Sequence, residues 1–268
     1  MFFRKNHIAC SDILDLPRIC HGFATRSGGV SVIPEVASMN TAVRMGDSPE
    51  NVAENIALLT KYIGMEGSPV IYSRQIHSAT VLMVTPDDIC IDPESRELDG
   101  YVTDHSGIVL LVRSADCVPI LFAGSKNDGT PVIGAAHAGW RGTVSRIAEA
   151  VVTKMCDLGT VRDSIRVAIG PAIHDCCFEV KRDFIDSVEK IAGTAFAARH
   201  IREKSGRYFA SLIGMNKEIL SDSGILPSHI DVSPDCTVHM SDVYHSHRAT
   251  AGNRGTGGGI IGIRATEA

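Results

Sequence analysis

Three short segments of the chain each place one potential metal ligand among small or turn-forming residues beside a predicted strand. They read RQIHS around His77, SADC up to Cys117 and AAHAGW around His137. Functional side chains often collect at strand ends. Two imidazoles and one thiolate make a zinc site with three protein ligands, in which the fourth position stays open for water. An open site of this kind is typical of catalytic rather than structural zinc.

The same residues allow two other interpretations. A Cys117 thiolate activated by His137 is a nucleophile, as in cysteine hydrolases. Alternatively, these side chains are ordinary core residues, because cysteine is among the most buried residue types. The 40 residues from His77 to Cys117 and the 20 from Cys117 to His137 match no compact metal motif. Asp116 either orients a histidine or caps a turn. Spacing alone therefore leaves the three interpretations open.

Glycine-flanked arginines are candidate sites for phosphate or another anion. Arg26 precedes SGG, Arg141 lies in GWRGT, and Arg248 lies shortly before a GNRG segment that contains Arg254. Arg141 is best placed, because the helix predicted to follow it offers free backbone amides and a positive dipole end. For Arg26 and Arg254, a solvated arginine in an ordinary turn explains the pattern equally well. The absence of a Walker A motif, and of a strand and helix around the glycines at 255–259, excludes nucleoside triphosphate and dinucleotide binding.

The other cysteines and histidines predict no second site. The chain has eight cysteines but no CxxC pair, which excludes zinc-ribbon and thioredoxin-like motifs. Cys176 and Cys177 lie in a predicted strand-to-helix loop. His239, His245 and His247 are close in sequence, but surface or hydrogen-bonding roles are the simplest expectation for them.

The elements that must position these residues alternate between short β-rich runs and amphipathic helices. Strands are predicted at 70–72, 80–84, 108–112, 118–122, 132–136, 165–169 and 260–263. Helices are predicted from 48 to 63, from 142 to 155 with Gly159 closing it, at 180–191 and at 209–220. The mixture predicts an α/β (mixed α+β) fold. No repeat, low-complexity tract or linker marks a boundary, so residues 1–268 are expected to form one domain.

Size and charge narrow the class of partner. The 268 residues carry a net charge of −5 and a pI near 6.1, without the basic footprint that duplex nucleic acid or an anionic membrane would need. We therefore expect a small-molecule substrate. Charged residues interrupt the first twenty positions and no apolar run reaches membrane-spanning length, so neither a signal peptide nor a transmembrane helix is predicted. This favours the cytoplasm, where thiols stay reduced.

A longer set of motifs, in this order and spacing, resembles the YfiH, or laccase-domain, family from about Gly22 to Ile263. The matching motifs are GGVS at 28–31, SMN at 38–40, QIH at 75–77, ADCVP at 115–119, AHAGWRG at 136–142, GPAI at 170–173 and CT at 236–237. One departure lies near the C-terminus. The family usually has a second arginine after Arg248, where this chain has Ala249.

The resemblance implies a single-domain layered sandwich, likened to the catalytic domain of a cytotoxic necrotizing factor toxin. It implies zinc held by His77, Cys117 and His137, with Cys117 and His137 catalytic. Substrate or phosphate contacts are implied for Asn40, Arg26, Arg141 and Arg248. The implied reactions are phosphorolysis of adenosine, inosine, guanosine and methylthioadenosine, and deamination of adenosine. An older family description implies a copper polyphenol oxidase, and one member is proposed to hydrolyse an amide of a peptidoglycan precursor.

Physical chemistry ranks these activities. Multicopper oxidation requires several copper ions, which a single three-ligand site without a second His/Cys cluster does not supply, and zinc has no redox chemistry. Zinc does activate water for attack on a purine amino carbon. Phosphorolysis needs a phosphate near the glycosidic carbon, for which Arg141, Arg26 and nearby backbone amides are candidates. We therefore expect a zinc enzyme that acts on purine nucleosides, with a Cys/His amidohydrolase or a copper enzyme as the alternatives.

Overall fold

Strands and helices are interspersed along the chain. The computed structural model describes residues 1–43 and 45–266, and within these ranges there are fifteen strands and six α-helices. In chain order the strands are β1 (Phe2–Lys5), β2 (Ile8–Ser11), β3 (Ile19–Ala24), β4 (Val70–Ile71), β5 (Val81–Met83), β6 (Gly100–Thr103), β7 (Val109–Ser114), β8 (Val118–Ser125), β9 (Pro131–Ala138), β10 (Arg166–Ile169), β11 (Glu179–Val180), β12 (Ile201–Lys204), β13 (Arg207–Ala210), β14 (Ile230–Val232) and β15 (Gly257–Ile263). The helices are α1 (Pro49–Tyr62), α2 (Trp140–Val144), α3 (Ile147–Asp157), α4 (Arg182–Ala192), α5 (Thr194–His200) and α6 (Leu212–Asp222).

Two six-stranded sheets form the centre of the molecule. The first has the strand order β1-β2-β3-β15-β7-β4 and the second β14-β10-β8-β9-β6-β5. A smaller third sheet has the order β11-β13-β12. Pairing is mostly antiparallel, with parallel pairs at β4–β7, β5–β6 and β10–β14. This combination of helices with sheets of mixed direction confirms the predicted mixed α/β fold.

The two large sheets and the helices pack as layers. Because side chains alternate between the two faces of a strand, Ile120 and Phe122 of β8 belong to the apolar cluster that contains α3 and α6 residues. Leu121 instead belongs to the cluster formed with the first sheet. On the far face of that first sheet, Ile56 and Leu59 of α1 form a third cluster. The layers therefore run helix, sheet, sheet, helices, which is the layered sandwich expected from the sequence motifs.

Two helix predictions show what local sequence does and does not determine. α1 begins as predicted, because the Ser48 side chain accepts the N–H of Asn51 and Pro49 occupies the first turn. The helix predicted as one piece from 142 to 155 is instead two, α2 and α3. Arg146, with φ of 63°, separates them. A left-handed residue ends the helical hydrogen-bond ladder and redirects the chain, so α2 stays a short turn beside the predicted site.

The sequence pattern did not predict β1–β3, β6, β14, α5 or the strands of the small sheet. β1 reads FFRK with three exposed positions, so it lacks the apolar alternation of a half-buried strand. The segment predicted as a helix from 209 begins with β13 and becomes helical only at Leu212. In the described ranges, no helix combines the length and apolar character that crossing a membrane requires.

Candidate metal centre and active-site cavity

The ends of neighbouring strands bring Cys117, His137 and Asp99 together. β8 and β9 pair antiparallel with Pro119 opposite His137, so Cys117, which lies just before β8, is beside the end of β9. β6 pairs with the other side of β9, and Asp99 lies just before β6. The backbone N–H of His137 donates to the Asp99 carbonyl at 2.8 Å. The register of the second sheet thus gathers a thiol, an imidazole and a carboxylate at one end.

His77 comes from the loop between β4 and β5, and Asp99 holds that loop in place. Backbone N–H groups of Ile76, His77 and Ser78 donate to the Asp99 carboxylate at 3.2, 3.0 and 2.7 Å. His137 donates its Nδ1–H to the same carboxylate at 2.8 Å. His77 has φ of 63°, in the left-handed region that a β-carbon disfavours. Three hydrogen bonds to one fully buried carboxylate stabilise this conformation, so Asp99 positions both histidines.

Charge and burial set different protonation preferences for the two histidines. Burial lowers the pKa of His77, and the adjacent His137 lowers it further, which favours the neutral imidazole that binds metals. Burial also lowers the pKa of His137, but the Cys117 thiolate and the Asp99 carboxylate outweigh burial and raise the pKa to about 9. Burial opposes ionisation of Asp99, but hydrogen bonds from His137 and Ser78 lower its pKa overall. The site therefore keeps a carboxylate beside His137.

The three predicted ligands fit a zinc-like metal ion. One ligand atom from each of His77, Cys117 and His137 lies within 4.8 Å of the others. Because His137 Nδ1 donates to Asp99, its Nε2 is the ligand atom, and the carboxylate fixes the tautomer. Nδ1 of His77 is buried and has no hydrogen-bond partner among the described residues, so it is available as a ligand. A Cβ at Gly139 would lie 2.2 Å from this atom, so glycine there makes room for the imidazole.

The three candidate ligands lie in the wall of a cavity of about 670 Å³. This volume is in the range of about 300–1,000 Å³ that is usual for small-molecule sites. The cavity is also lined by Arg74, Arg113 and Arg254. Among the described lining residues, Glu94 is the one that carries a negative charge. An excess of positive charge in a cleft raises the local concentration of anions. The cavity is therefore suited to a ligand that carries, or is accompanied by, negative charge.

Hydrogen bonds and stacking fix the wall around Arg113. Its guanidinium donates to the Ser73 carbonyl at 2.7 Å and to Glu94 Oε1 at 3.2 Å. The same group lies over the Tyr72 ring, 5.1 Å from the centroid. The Gln75 side-chain amide pairs with both backbone groups of Arg113, each at 2.7 Å. The loop that carries His77 is thereby attached to the end of β7.

Asn40 and Arg26, predicted to contact substrate or phosphate, are engaged in the framework behind the cavity. The fully buried amide of Asn40 donates to Asp47 Oδ2 at 2.7 Å and accepts the backbone N–H of Thr256 at 2.9 Å. The Arg26 guanidinium donates to three main-chain carbonyl groups at 2.9–3.2 Å. Thr256 lines the cavity, so Asn40 supports the wall from behind. Their substrate contacts stay a prediction.

Arg141 and Arg248 are not among the described residues that line the cavity, although each lies near a candidate ligand or its loop. The Arg141 guanidinium stacks on Trp140 at 4.3 Å, and its charge is close enough to contribute to lowering the pKa of His77, after burial and His137. Arg248 donates to the Cys177 and Glu179 carbonyls at 3.0 and 3.1 Å. A direct contact with substrate or phosphate stays a prediction for both arginines.

The residue that orients a histidine is Asp99, which the sequence analysis missed. Asp116 was expected either to orient a histidine or to cap a turn. Among the described residues, no histidine is hydrogen-bonded to its carboxylate. Its carboxylate accepts the Thr237 hydroxyl and the Arg248 backbone N–H, both at 2.6 Å, and so joins loops around Cys117. Asp99 gave no signal because no strand was predicted at 100–103. A strand predicted at 100–103 would have placed Asp99 directly before a strand, in the same way that Cys117 lies directly before β8.

The expectation that no second His/Cys cluster exists is wrong. Cys176, Cys177, Cys236 and His239 each provide one potential ligand atom, all within 4.8 Å of one another. The cluster is assembled from two loops about sixty residues apart, so no local spacing such as CxxC reveals it. A multicopper enzyme is therefore no longer excluded by the lack of a second cluster.

The fold and cavity together define a layered α/β protein with a His/Cys/His cluster and a polar binding pocket. The chain belongs to the family described as multi-copper polyphenol oxidoreductase laccase, whose model matches residues 20–264. This confirms the family indicated by the sequence motifs. A crystal structure of the Bacillus licheniformis hypothetical protein YfiH superposes with a TM-score of 0.87 at 28% identity, covering 98% of this chain and 99% of that one.

Relatives of known name point to catalysis. The purine nucleoside phosphorylase of Deinococcus radiodurans is 34% identical over 91% of this chain and 88% of that protein. Adenosine deaminase RL5, from an unknown prokaryotic organism, is 30% identical over 87% of this chain and 90% of that protein. Both are enzymes by name, and the chain is accordingly an enzyme.

Proposed function

We propose that the protein is a zinc-dependent purine nucleoside enzyme of the cytoplasm. Its reactions are phosphorolysis of adenosine, inosine, guanosine and methylthioadenosine to the base and a ribose 1-phosphate, and deamination of adenosine to inosine. The observation that carries the proposal is the His77, Cys117 and His137 cluster in the wall of an arginine-lined cavity of about 670 Å³. The names of two relatives, a purine nucleoside phosphorylase and an adenosine deaminase, supply the substrate class.

Zinc is the metal that the donor set favours. Two imidazoles and a thiolate suit zinc, and three protein ligands leave a position open for chemistry. When bound, zinc supplies a Lewis acid and activates water at neutral pH. The contribution of Asp99 is to hold His137 in one tautomer and His77 in its left-handed backbone conformation. Copper binds similar ligands, and it is the alternative occupant.

The cavity arginines are the proposed phosphate-binding groups. Phosphorolysis brings an anion to the glycosidic carbon and leaves negative charge on the departing purine, so cations must lie on the cavity wall. Arg74, Arg113 and Arg254 do so. Guanidinium groups bind phosphate oxygens through paired N–H donors. Arg141 lies close to His77 and is a further candidate.

Product analysis with adenosine tests this function. Metal-quantified protein is incubated with adenosine with and without phosphate, alongside a chelated control. Adenine and ribose 1-phosphate formed only with phosphate would demonstrate phosphorolysis, and inosine formed without phosphate would demonstrate deamination. If fully zinc-loaded protein formed neither product, that result would contradict the proposal.

One geometric observation favours a second candidate, a cysteine amidohydrolase. A ligand atom of Cys117 lies within 4.8 Å of one of His137, and Asp99 accepts a hydrogen bond from Nδ1 of the His137 ring. This reproduces the order of a nucleophile, base and orienting carboxylate. The peptidoglycan-precursor amide considered above would be its substrate. In this mechanism metal inhibits, so chelated protein would hydrolyse the amide and thiol alkylation would abolish turnover. Zinc-dependent turnover would exclude it.

A multicopper oxidase is not supported by the donor geometry. Each of the two clusters in the described ranges gathers its ligand atoms within 4.8 Å, which suits one ion per cluster. Four-electron oxidation requires several copper ions acting together. The second cluster is rich in thiolates, which favour zinc or Cu(I) rather than Cu(II).

A further inference from the structure

The cluster of Cys176, Cys177, Cys236 and His239 lies outside the cavity described above. Cys236 is buried, Cys177 is half-buried, and Cys176 and His239 reach the surface. Residues 176 and 177 follow β10 and precede β11, whereas residues 236 and 239 lie between β14 and β15. The three cysteines are free thiols. Four soft donors thus meet at the surface from two loops.

The distances within this cluster are those of a metal ligand set. A tetrahedral site with zinc–sulfur bonds of about 2.3 Å has sulfur atoms about 3.8 Å apart. Cys176 Sγ lies 3.6 Å from Cys177 Sγ and 3.9 Å from Cys236 Sγ. The His239 ring is equally close, with Nε2 3.2 Å from Cys177 Sγ and Nδ1 3.9 Å from Cys176 Sγ. One ion and small side-chain movements therefore satisfy all four donors.

Backbone hydrogen bonds fix the two loops against each other. Ala172 and Cys236 form an isolated parallel bridge, and the N–H of Thr237 donates to the Ala172 carbonyl at 3.0 Å. The N–H of His174 donates to Cys236 Sγ at 3.5 Å. Backbone N–H groups directed at a sulfur atom stabilise a thiolate and are common around metal-bound cysteines. The buried cysteine is consequently held in place before any ion binds.

We propose that Cys176, Cys177, Cys236 and His239 form a second, structural metal site for one zinc ion. Three thiolates and one imidazole complete a tetrahedral shell and leave no position for a substrate, which is the arrangement of structural zinc. Binding requires the thiols to release their protons to solvent. The inference stands on this cluster alone and does not depend on the proposed nucleoside chemistry.

The position of the second site gives it a role in the fold. Thr237, which follows Cys236, donates its hydroxyl to Asp116 Oδ1 at 2.6 Å, and Asp116 precedes Cys117. Arg248 donates to the Cys177 carbonyl and, through its backbone, to Asp116. An ion that joins the two loops would therefore stabilise the segment that presents Cys117 to the cavity.

Metal content of the full-length chain tests the second site. Protein is dialysed against metal-free buffer and its zinc measured by mass spectrometry. The Cys117→Ala variant should retain one zinc per chain, and adding Cys176→Ser and His239→Ala should remove it. Both added substitutions are at exposed positions, so the fold should survive, and a circular dichroism spectrum checks this. Cys90→Ser, at an exposed cysteine that belongs to neither cluster, should leave the zinc content unchanged.

Cobalt provides an independent signature. Cobalt bound to Cys117→Ala protein should show intense thiolate-to-metal absorption and the visible bands of tetrahedral coordination, both lost with Cys176→Ser and His239→Ala. Cys117→Ala protein that binds neither zinc nor cobalt would overturn the proposal, as would zinc content that is unchanged by loss of Cys176 and His239. A disulfide among these cysteines in freshly purified, unoxidised protein would overturn it as well.

Discussion

The two clusters use the same donor types and differ in number and surroundings. His77, Cys117 and His137 give three ligands in the wall of a large cavity, with a buried carboxylate behind them. The second cluster gives four ligands near the surface, at a junction of loops. A three-ligand site leaves room for a substrate, whereas a four-ligand site is closed. Ligand count and the adjoining space, rather than ligand type, therefore separate the proposed catalytic site from the proposed structural one.

The hydrogen bonds that hold the ligands in place also differ between the two clusters. In the cavity, one carboxylate accepts hydrogen bonds from the His77 loop and from His137. At the surface cluster, backbone contacts between two loops hold Cys236. In the first arrangement the carboxylate fixes the tautomer of His137 and the backbone conformation of His77. The second only brings loops together, as a structural ion requires.

Loss of Cys117 should have the largest effect. Cys117→Ala removes the thiolate from the three-ligand site, so turnover of adenosine should fall by about 1,000-fold or more, because metal-supplied stabilisation of the transition state is worth several kcal/mol. Cys90→Ser is the matched control and should keep full activity. Full turnover and full occupancy of the cavity site in Cys117→Ala protein would show that Cys117 is not a ligand.

Loss of the Asp99 charge should have the next largest effect. Asp99→Asn replaces an acceptor of five hydrogen bonds with a group that donates on one side, and metal affinity at the cavity site should drop about 10–100-fold. Competition with a coloured chelator measures this. Asp104→Asn, at a carboxylate paired with Lys126 at 2.6 Å, is the control. Equal losses in the two variants, or a loss confined to the surface cluster, would contradict the role assigned to Asp99.

Substitutions of Arg254 and Arg26 should distinguish an arginine that binds phosphate from one that stabilises the fold. Arg254→Ala should raise the KM for phosphate about tenfold, because one charge-assisted contact is lost. The rate of deamination should change little. Arg26→Ala should instead lower the free energy of unfolding by about 1–3 kcal/mol, because its guanidinium donates to three carbonyl groups. Steady-state kinetics and urea unfolding distinguish the two. An unaltered KM for phosphate in Arg254→Ala protein would exclude this arginine as the phosphate ligand.

The stability of the metal-free protein should depend on pH, with a smaller effect than the substitutions above. Zinc affinity should change with pH in the opposite direction. In metal-free protein the pKa of His137 is raised to about 9 by Cys117 and Asp99 against burial, so the folded state holds this proton more tightly than the unfolded state does. The resulting stabilisation is fully present below about pH 6.5 and is lost as the pH rises through about 9. Zinc binding needs the neutral ring, so zinc should bind more tightly as the pH rises over this range.

Thermal unfolding between pH 6 and 10 checks this prediction. The Tm of chelated protein should decline over the upper half of the range, and the increase in Tm caused by zinc should grow. His137→Gln should remove the decline. A chelated Tm that rises toward pH 9 in the wild type but not in this variant would show that His137 is neutral in the metal-free protein.

The sequence predicted the parts of the site that lie within recognisable strands. Cys117 and His137 flank the buried runs that became β8 and β9, and the motif around each is specific. α1 and its Ser48 cap followed from local chemistry in the same way. His77 was singled out with them from its RQIHS segment, although it lies in a loop whose left-handed backbone periodicity does not predict.

The remaining features depend on contacts between distant parts of the chain. Asp99 became visible only once β6 had been placed beside β9. The surface cluster needs residues 176–177 and 236–239 to meet, and contacts between distant segments, such as the bridge between Ala172 and Cys236, bring them together. Arg26 looked like an anion site in sequence because its glycine-rich neighbours resemble a binding loop, yet its donors are taken by carbonyl groups. Tertiary packing assigns these side chains their partners.

The most direct test of the division between the two clusters is stepwise zinc reconstitution of metal-free protein with adenosine turnover as the readout. The measurement compares wild type, Cys117→Ala and the variant carrying Cys176→Ser and His239→Ala, at equal chain concentration. We predict that the last variant gains turnover in proportion to one zinc per chain, and that Cys117→Ala binds one zinc and gains none. Turnover that appears in Cys117→Ala protein as zinc fills its surface cluster would contradict the assignment of catalysis to the cavity site.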